Sequence, residues 1–215
     1  MARGVFIVVE GLDKTGKSTQ VKRLHTLLLD HGYPAEYVRF PDRTTPMGHL
    51  ISTYLTLETP LEDHAIHLLF SANRWERMDA IKDMLMQGKT VIADRYAYSG
   101  AAFSMAKGLD MSWCQSCDQG LIVPDLVLFL QASEDVLVKR GGYGEERYEH
   151  VEFQRQVQSA YTQLRNRDVQ TFWKVIDASQ DIQSVEEDIW QAVQGILKQE
   201  RDELRLDLWM LPDSC

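Results

Sequence analysis

Short apolar runs alternate along the chain with longer segments in which apolar and polar residues are mixed. Short runs rich in β-branched and aromatic residues are typical of strands that are buried on both faces of a sheet. We therefore predict five strands, at Val5–Val9, Ala35–Phe40, Thr90–Ala93, Leu126–Leu130 and Trp173–Ile176.

The segments between these runs have the periodicity of amphipathic helices. After the first strand, apolar residues recur on one helical face, at Val21, Leu24, Leu27 and Leu28. Gly32 stands past the end of this helix, as a C-cap glycine does. Longer helical stretches are predicted at Glu62–Gln87, which Gly88 ends, and at Ile182–Lys198.

The alternation of strands and helices predicts the α/β class. Right-handed crossovers between the strands give a five-stranded parallel sheet with helices on both faces. The sequence has no repeat, low-complexity block or long linker, so residues 1–215 are predicted to form a single domain. Ligands of such sheets bind beyond the carboxyl ends of the strands. We expect Glu10–Ser18, Phe40–Arg43 and Asp94–Tyr96 to face one crevice.

The first predicted strand runs directly into a phosphate-binding loop. Residues 11–18 read GLDKTGKS, which matches G-x-x-x-x-G-K-[ST] in full, between a strand and a helix as the motif requires. This loop predicts the P-loop NTPase fold, with Lys17 reaching the β- and γ-phosphates and Ser18 binding Mg²⁺. The predicted ATP-binding residues of the loop region are Gly11, Asp13, Lys14, Thr15, Gly16, Lys17, Ser18 and Thr19.

Asp94 ends an apolar strand, as the acidic residue of a Walker-B strand does, and is predicted to hold Mg²⁺ through water. These features do not separate a kinase from a GTPase or a mechanical ATPase. A GTPase normally carries an N-K-x-D motif, and the sequence contains no such tetrapeptide. A kinase needs a second pocket for its acceptor.

Net charge, apolar runs and cysteine content exclude some classes of binding partner and cell compartment. The net charge of -9 argues against a surface for a nucleic-acid polymer. The longest apolar run, near Leu126–Leu130, is too short to span a bilayer, so we expect no membrane partner. Three cysteines suit a reducing compartment better than a disulfide framework. We expect the protein to be located in the cytoplasm, with the nucleus and the mitochondrion as alternatives.

Three arginines are candidates for a second anion site. Arg43, Arg74 and Arg95 lie near predicted strand ends or on the helix that faces the crevice. Their planar forks suit bidentate binding of phosphate oxygens. Any single one could equally be a solvated surface charge, and Phe70, taken alone, is more typical of a core position.

The segments Phe40–Arg43, Leu68–Glu76 and Asp94–Gly100 resemble those of the thymidylate kinase family, most closely its eukaryotic form. The resemblance runs from about Val5 to Trp190. It implies a P-loop nucleoside monophosphate kinase that makes dTDP from dTMP and ATP, and a homodimer. The alternatives are a related kinase acting on another nucleotide or deoxynucleoside, and a nucleotide-dependent switch without an acceptor.

The resemblance also implies roles for the acceptor residues. Arg43 and Arg95 would hold the monophosphate, Arg74 would contact the base, and Asp13 would accept a hydrogen bond from the sugar hydroxyl. Tyr148 would press on the deoxyribose where a 2′-hydroxyl would otherwise sit. The implied dTMP-binding residues are Asp13, Phe40, Arg43, Phe70, Arg74, Arg95, Ser99, Gly100, Phe103 and Tyr148.

Residues 140–149, RGGYGEERYE, are interpreted as a short lid over the triphosphate, with a flexible surface loop as the alternative. Arg140 could stack on the adenine, Arg147 could approach the phosphates, and Gln180 is a candidate neighbour of the adenine. The eukaryotic form commonly has arginine where this chain has Lys14, which leaves open which cation serves the transition state. The predicted catalytic residues are Lys14, Lys17, Asp94, Arg95, Arg140 and Arg147.

Three further features of the sequence say less about function. The tail from about Arg201 to Cys215 is the least matched part of the chain, and we expect it to be disordered or to face a partner. Trp113–Cys117 imitates a thioredoxin-type W-C-x-x-C, but it lies in a predicted polar connector and has no further metal ligands nearby. His64 and His67 are interpreted as a solvated or packed pair.

Overall fold

The computed structural model describes residues 2–140, 147–148, 150–199, 201 and 203–210. In this part of the chain the strands are β1 Phe6–Gly11, β2 Ala35–Arg39, β3 Thr90–Asp94, β4 Leu126–Gln131 and β5 Trp173–Asp177. They form one parallel sheet in the order β2-β3-β1-β4-β5. The five predicted strands and their parallel arrangement are confirmed, with ends that differ by at most two residues.

Helices connect and cover the strands. They are α1 Lys17–Asp30, α2 Pro46–Leu55, α3 Asp63–Trp75, α4 Met78–Met86, α5 Ala97–Met105, α6 Met111–Ser116, α7 Glu134–Lys139, α8 Val151–Arg167 and α9 Ile182–Leu197. The predicted helices after the phosphate-binding loop and at the end of the domain are α1 and α9. Gly32 follows α1 with φ 79°, as the predicted C-cap requires.

The sheet separates two apolar layers, because successive side chains of a strand point to opposite faces. From β1, the buried side chains of Phe6 and Val8 pack with residues of α5 and α8. Ile7 and Val9 pack on the other face with residues of α1 and α9. The helices therefore cover both faces, as predicted.

The stretch predicted as one helix over Glu62–Gln87 is two helices. α3 ends at Trp75 and α4 begins at Met78. The backbone N–H of Arg77 donates to the carbonyl O of Arg74 at 3.0 Å, an i→i+3 bond that closes the last turn of α3. The break lets α4 bury Ile81 and Leu85 in the core beside β3 while α3 borders the functional crevice.

The weakly matched tail packs against the body of the domain where the structure describes it. The N–H of Leu208 donates to the carbonyl O of Leu121 at 3.1 Å, and the N–H of Gly120 donates to the carbonyl O of Leu208 at 3.2 Å. The N–H of Val123 donates to the carbonyl O of Arg205 at 2.9 Å. Leu208 is fully buried. Residues 203–210 thus brace the segment between α6 and β4, which corrects the expectation of a disordered or partner-facing tail for this part.

The parallel register brings the predicted functional segments together. Asp94, at the end of β3, pairs with Val9 of β1 on one side and with Arg39 of β2 on the other. The segments that follow these three strands therefore leave the same edge of the sheet. Among the described residues, no helix combines the length and the apolar composition that crossing a bilayer requires.

Candidate active site

The loop between β1 and α1 has a backbone that its glycines make possible. Gly11 has φ 144° and Gly16 has φ 90°, values that residues with a side chain rarely adopt. A Cβ at Gly11 would lie 2.4 Å from the carbonyl O of Leu130. Gly16 also caps α1, so the N–H groups of the first helical turn face the loop. The loop has the form of an anion cradle.

Lys17 is the cation of this cradle and is buried. Its Nζ donates to the carbonyl O of Leu12 at 2.6 Å and contacts Oγ1 of Thr15 at 3.5 Å. Burial, and next the nearby charge of Arg95, lower the pKa of Lys17 to about 8. A phosphate that displaces these neutral acceptors would contact the positive charge of Lys17, which they compensate poorly.

Hard oxygen donors meet beside the loop. Oγ of Ser18 donates to Oδ2 of Asp94 at 2.5 Å, and the guanidinium of Arg39 lies 3.9 Å from the same oxygen. A hydroxyl and a carboxylate are the kind of protein donors that Mg²⁺ uses when substrate phosphates and waters supply its other ligands. The predicted metal residues are therefore adjacent, and their chemistry fits the ion.

An open cavity adjoins the loop, with a volume of about 870 Å³ that includes its mouth. All the residues that the resemblance implied for dTMP line it: Asp13, Phe40, Arg43, Phe70, Arg74, Arg95, Ser99, Gly100, Phe103 and Tyr148. The structure thus brings together side chains from the phosphate loop, from the segment after β2, and from α3, α5 and the lid. Further lining residues that the sequence did not single out are Arg39, Pro41, Leu55, Tyr96, Ser104 and Lys107.

At one end of the cavity Arg95 forms an ion pair with Asp13. Arg95 has φ 69°, and its Nη1 donates to the carbonyl O of Gly11 at 3.3 Å and to Oγ of Ser99 at 3.2 Å. Burial disfavours the charge, but Asp13 above all raises the pKa of Arg95. Asp13 also accepts from Nε2 of Gln154 at 2.8 Å. This pair joins the cavity to the phosphate loop.

The buried carboxylate of Glu10 forms hydrogen bonds with residues of the cavity lining near Arg95. Glu10 is fully buried and accepts from Oη of Tyr161 at 2.7 Å, from the hydroxyl of Ser99 and from the N–H of Tyr96 at 2.9 Å. Burial raises the pKa of Glu10. The sequence predicted that the segment beginning at Glu10 faces the crevice but assigned Glu10 no role, although a charged residue at the end of an apolar strand was a visible signal.

Arg74, another arginine of the lining, forms a buried ion pair with Asp118. Nε of Arg74 donates to Oδ1 at 3.0 Å and Nη2 donates to Oδ2 at 2.5 Å. The two side chains are 3% and 0% exposed. Removing one partner of such a pair typically costs about 3–5 kcal/mol, because the other charge stays buried. Sequence reasoning missed Asp118, which belongs to no motif.

Aromatic rings form the apolar wall. Tyr148 stacks on Phe153 with ring centroids 5.2 Å apart, packs against Phe103 at 5.3 Å, and donates to Oη of Tyr54 at 3.2 Å. Phe70 is half-buried beside them and lines the cavity. A largely aromatic wall with a few charged groups in the lining is typical of sites for small molecules.

The lid is described only in part, since residues 141–146 and 149 lie outside the described residues. Nη1 of Arg140 donates to the carbonyl O of Lys14 at 3.1 Å, and Nη2 donates to that of Ala178 at 2.6 Å. Arg147 instead contacts α2: its Nε donates to the carbonyl O of Tyr54 at 3.0 Å, and its guanidinium lies 4.2 Å from that ring. Arg140 is thus at the phosphate loop, whereas Arg147 in this conformation is held by α2.

Two other residues that were predicted to bind ATP are exposed. Gln180 follows β5 and donates from Nε2 to Asp188 at 2.9 Å and to the carbonyl O of Asp177 at 3.2 Å. Thr19 lies in the first turn of α1 with an exposed side chain. Neither has a contact that assigns it a role.

In the cysteine and histidine motifs, Cys114 and His67 belong to the core, whereas His64 is exposed and pairs with Glu62. The W-C-x-x-C segment lies on and just after α6, not in a polar connector, which corrects the prediction. Burial raises the pKa of the Cys114 thiol to about 12, the opposite of a reactive thiolate. His67 is fully buried between Oγ of Ser104, at 2.7 Å, and the carbonyl O of Cys114, at 3.0 Å. In the described part of the chain, His, Cys, Asp and Glu side chains form no metal-binding group of three or more.

Comparison with known proteins gives consistent matches. A family model described as thymidylate kinase matches residues 9–189. A thymidylate kinase of Arabidopsis thaliana is 50% identical over 197 residues, which are 92% of this chain and 73% of the plant protein. A thymidylate kinase of Danio rerio is 47% identical over 208 residues, which are 96% of this chain and 98% of the fish protein.

A solved structure agrees over nearly the whole chain. The thymidylate kinase of Candida albicans matches with a TM-score of 0.86 at 38% identity, covering 96% of this chain and 99% of that one. The Candida albicans protein is described as having broad substrate specificity and a novel structural element. The span matched by the family model, residues 9–189, contains the phosphate loop and the whole described lining of the adjoining cavity.

Proposed function

Because this chain belongs to the thymidylate kinase family, whose members phosphorylate dTMP to dTDP with ATP, we propose how its own residues carry out that transfer. The observation that supports the proposal is the Arg95–Asp13 pair. Asp13 belongs to the phosphate loop and also lines the cavity, so the two nucleotides would meet at this pair.

The cavity takes dTMP. Arg43 and Arg95 hold the monophosphate near the loop, and Asp13 accepts a hydrogen bond from the sugar hydroxyl. Phe70, with Phe40 and Phe103, stacks on the base, while Ser99 and Gly100 complete the lining. Tyr148 leaves no room for a 2′-hydroxyl, which selects deoxyribose.

Arg74 reads the base. Thymine presents a carbonyl acceptor at position 4, whereas cytosine presents an amino donor there. Arginine has only donors, so it pairs with thymine and opposes cytosine. A site that leaves buried polar groups unpaired rejects a ligand strongly, whereas a lost methyl group costs only about 1–3 kcal/mol. We expect strong rejection of dCMP and mild rejection of dUMP.

The transfer needs no general base. The acceptor is a phosphate monoester with a second pKa of about 6, so it arrives largely as a dianion. The protein aligns the two phosphates in line and shields their repulsion, and catalysis rests on position and charge. Lys17 and Arg95 supply that charge from the loop and the cavity. Lys14, Arg140 and Arg147 are the further candidates, and Arg140 already bonds the loop.

Mg²⁺ belongs to this proposal, and Ser18 and Asp94, which are hydrogen-bonded to each other, would hold it. When bound, the ion neutralises charge on the β- and γ-phosphates. ATP lies along the loop, with Gly11, Thr15, Gly16 and Thr19 near its phosphates. Gln180 is proposed to neighbour the adenine.

A cytoplasmic location also belongs to the proposal, since the free thiols of Cys114 and Cys117 suit a reducing compartment.

We propose further that two copies associate through α3. Its residues Ala65, Leu68, Ala72 and Trp75 recur at the spacing of one helical face. Leu68 is 51% exposed and Trp75 is 43% exposed, so this face leaves large apolar groups in water. Sedimentation should give a dimer that Leu68→Glu dissociates. Leu29→Glu, at a 48% exposed position on α1, should leave the dimer intact.

A coupled assay of ADP production across a panel of monophosphates tests the function. ATP turnover should require an acceptor, should be fastest with dTMP, and should stop when EDTA removes divalent ions. ADP production that is equal with and without every monophosphate would point to an acceptor-free switch.

The same assay tests base selection. Arg74→Ala should lower kcat/KM for dTMP toward the value for dCMP, because the carbonyl of thymine loses its donor. The broad specificity described for the Candida albicans relative makes dUMP and dCMP necessary comparisons. If Arg74→Ala keeps the wild-type preference for thymine over cytosine, Arg74 does not read the base.

A further inference from the structure

A buried aspartate outside the cavity contacts the arginine that is proposed to read the base. Asp118 follows α6 and does not line the cavity, whereas Arg74 does. The carboxylate of Asp118 takes two hydrogen bonds from Arg74, through Nε and Nη2. Arginine has five N–H groups, so this pairing leaves others for a ligand while it fixes the plane of the guanidinium.

The guanidinium is confined on a second side by main chain. A Cβ at Gly100 would lie 2.7 Å from Nη2 and 2.9 Å from Nη1 of Arg74. The planar group is therefore enclosed between the Asp118 carboxylate and the backbone of α5. Both partners are almost without solvent contact. Arg74 has little room to adopt another rotamer.

The carboxylate is itself held from two directions. Oγ of Ser71, one turn before Arg74 on α3, lies 2.8 Å from Oδ1 of Asp118 and 2.8 Å from the carbonyl O of Cys117, so these two acceptors share its proton. The segment that carries Asp118 is hydrogen-bonded to the tail through Gly120 and Leu208. The geometry of the pair is thus set by the protein and does not depend on a ligand.

We propose that Asp118 is a positioning residue that makes the acceptor site selective for thymine over cytosine. It holds the N–H groups of Arg74 toward the base, so that the 4-amino group of cytosine meets a donor that cannot turn away. Without this restraint Arg74 could shift, and the donor-to-donor conflict would be relieved. The inference rests on the proposed role of Arg74 in reading the base.

A purely structural role for the pair makes a different prediction. If Asp118 only stabilised the fold, its loss would reduce the fraction of active enzyme. That fraction enters kcat/KM equally for every substrate, so it cancels from the ratio of kcat/KM for dTMP to kcat/KM for dCMP. This selectivity ratio therefore separates positioning from stability.

The test measures that ratio in Asp118→Asn. The amide keeps the shape but places a donor against the guanidinium, so one charged hydrogen bond is lost. We expect KM for dTMP to rise about tenfold or more with a smaller change in kcat, and the selectivity ratio to fall about tenfold or more. An unchanged ratio in Asp118→Asn would overturn the inference.

Asp125→Asn is the matched control. Asp125 is also a poorly exposed carboxylate in an ion pair: it accepts from Arg3 at 2.8 Å, its side chain is 10% exposed, and it does not line the cavity. This variant should lose thermal stability with an unchanged selectivity ratio. A fall in the ratio as large as that in Asp118→Asn would mean that the readout reports stability, and it would overturn the inference.

Two further variants cover the remaining outcomes. Ser71→Ala removes the hydroxyl that is shared between Asp118 and the carbonyl O of Cys117, and it leaves the Arg74–Asp118 ion pair in place. If Asp118→Asn fails to fold, a selectivity ratio that is unchanged in Ser71→Ala would overturn the inference, and a drop of about threefold would support it. In an Arg74→Ala background, Asp118→Asn should change the ratio no further. A wild-type ratio in Arg74→Ala alone would instead refute the proposed role of Arg74.

Discussion

The acceptor cavity and the phosphate loop hold their cations in different ways. In the cavity, Arg74 and Arg95 pair with the carboxylates of Asp118 and Asp13. In the loop, Lys17 donates to a main-chain carbonyl, and burial, together with the nearby charge of Arg95, lowers its pKa. A carboxylate fixes a cation in place, whereas a neutral carbonyl leaves most of its charge available. The cavity is therefore built to select, and the loop is built to attract and stabilise phosphate.

This contrast predicts that Lys17→Met mainly lowers kcat. The lost charge acts on the transferring group, and removing one such stabilising group typically costs about 100- to 1,000-fold in kcat. KM for dTMP should change little. Lys89→Met is the control, because Lys89 forms its ion pair with Glu36 at the surface. Near-normal turnover by folded Lys17→Met, judged by circular dichroism, would remove Lys17 from the mechanism.

The depressed pKa of Lys17 predicts a pH dependence that the cavity arginines do not share. Lys17 is charged below about pH 8 and becomes neutral above it, well before its ordinary value of 10.5. With dTMP saturating, kcat/KM for ATP should fall above pH 8, approaching tenfold per pH unit. Arginine stays charged over this range, so Lys17→Arg, if active, should lose the fall. A flat wild-type profile between pH 7 and 9.5 would contradict the assignment.

On the cavity side, Leu208→Ala should weaken the tail that braces the segment carrying Asp118. Leu208 is fully buried, so its truncation should lower the free energy of unfolding by about 2–5 kcal/mol. KM for dTMP should rise slightly, and KM for ATP should not. Leu206→Ala, at a 43% exposed position two residues earlier, is the matched control and should stay within about 0.5 kcal/mol. Equal effects of the two substitutions in urea unfolding would show that the tail does not brace the domain.

The two regions also differ in how far the sequence predicts them. The phosphate loop is a contiguous motif between a strand and a helix, so residues 11–18 could be recognised directly. The cavity is assembled from distant segments, and its lining residues were predicted through the family resemblance. Asp118 was not predicted, since its partner Arg74 lies 44 positions away and an isolated Asp in a polar segment has no pattern.

The elements of the fold also differ in how far the sequence predicts them. The strands were predicted because short runs rich in β-branched and aromatic residues are compositionally distinct, even in β2 and β5, which are partly exposed. Their parallel order places Asp94 beside β1. The 17-residue helix α8 was not predicted individually. Its buried positions Val157, Ala160 and Tyr161 have helical spacing but stand among many polar residues. The break between α3 and α4 was missed because neither glycine nor proline marks it; it depends on packing against different parts of the core.

The central claim is that the acceptor cavity is formed and selective before ATP binds. Isothermal titration of the nucleotide-free protein with dTMP, and separately with dCMP, tests it most directly. The account predicts that dTMP binds without ATP, and that dCMP binds at least about 100-fold more weakly, because Arg74 already presents donors to position 4 of the base. Binding of dTMP only in the presence of a non-hydrolysable ATP analogue, or equal affinities for the two monophosphates, would contradict it.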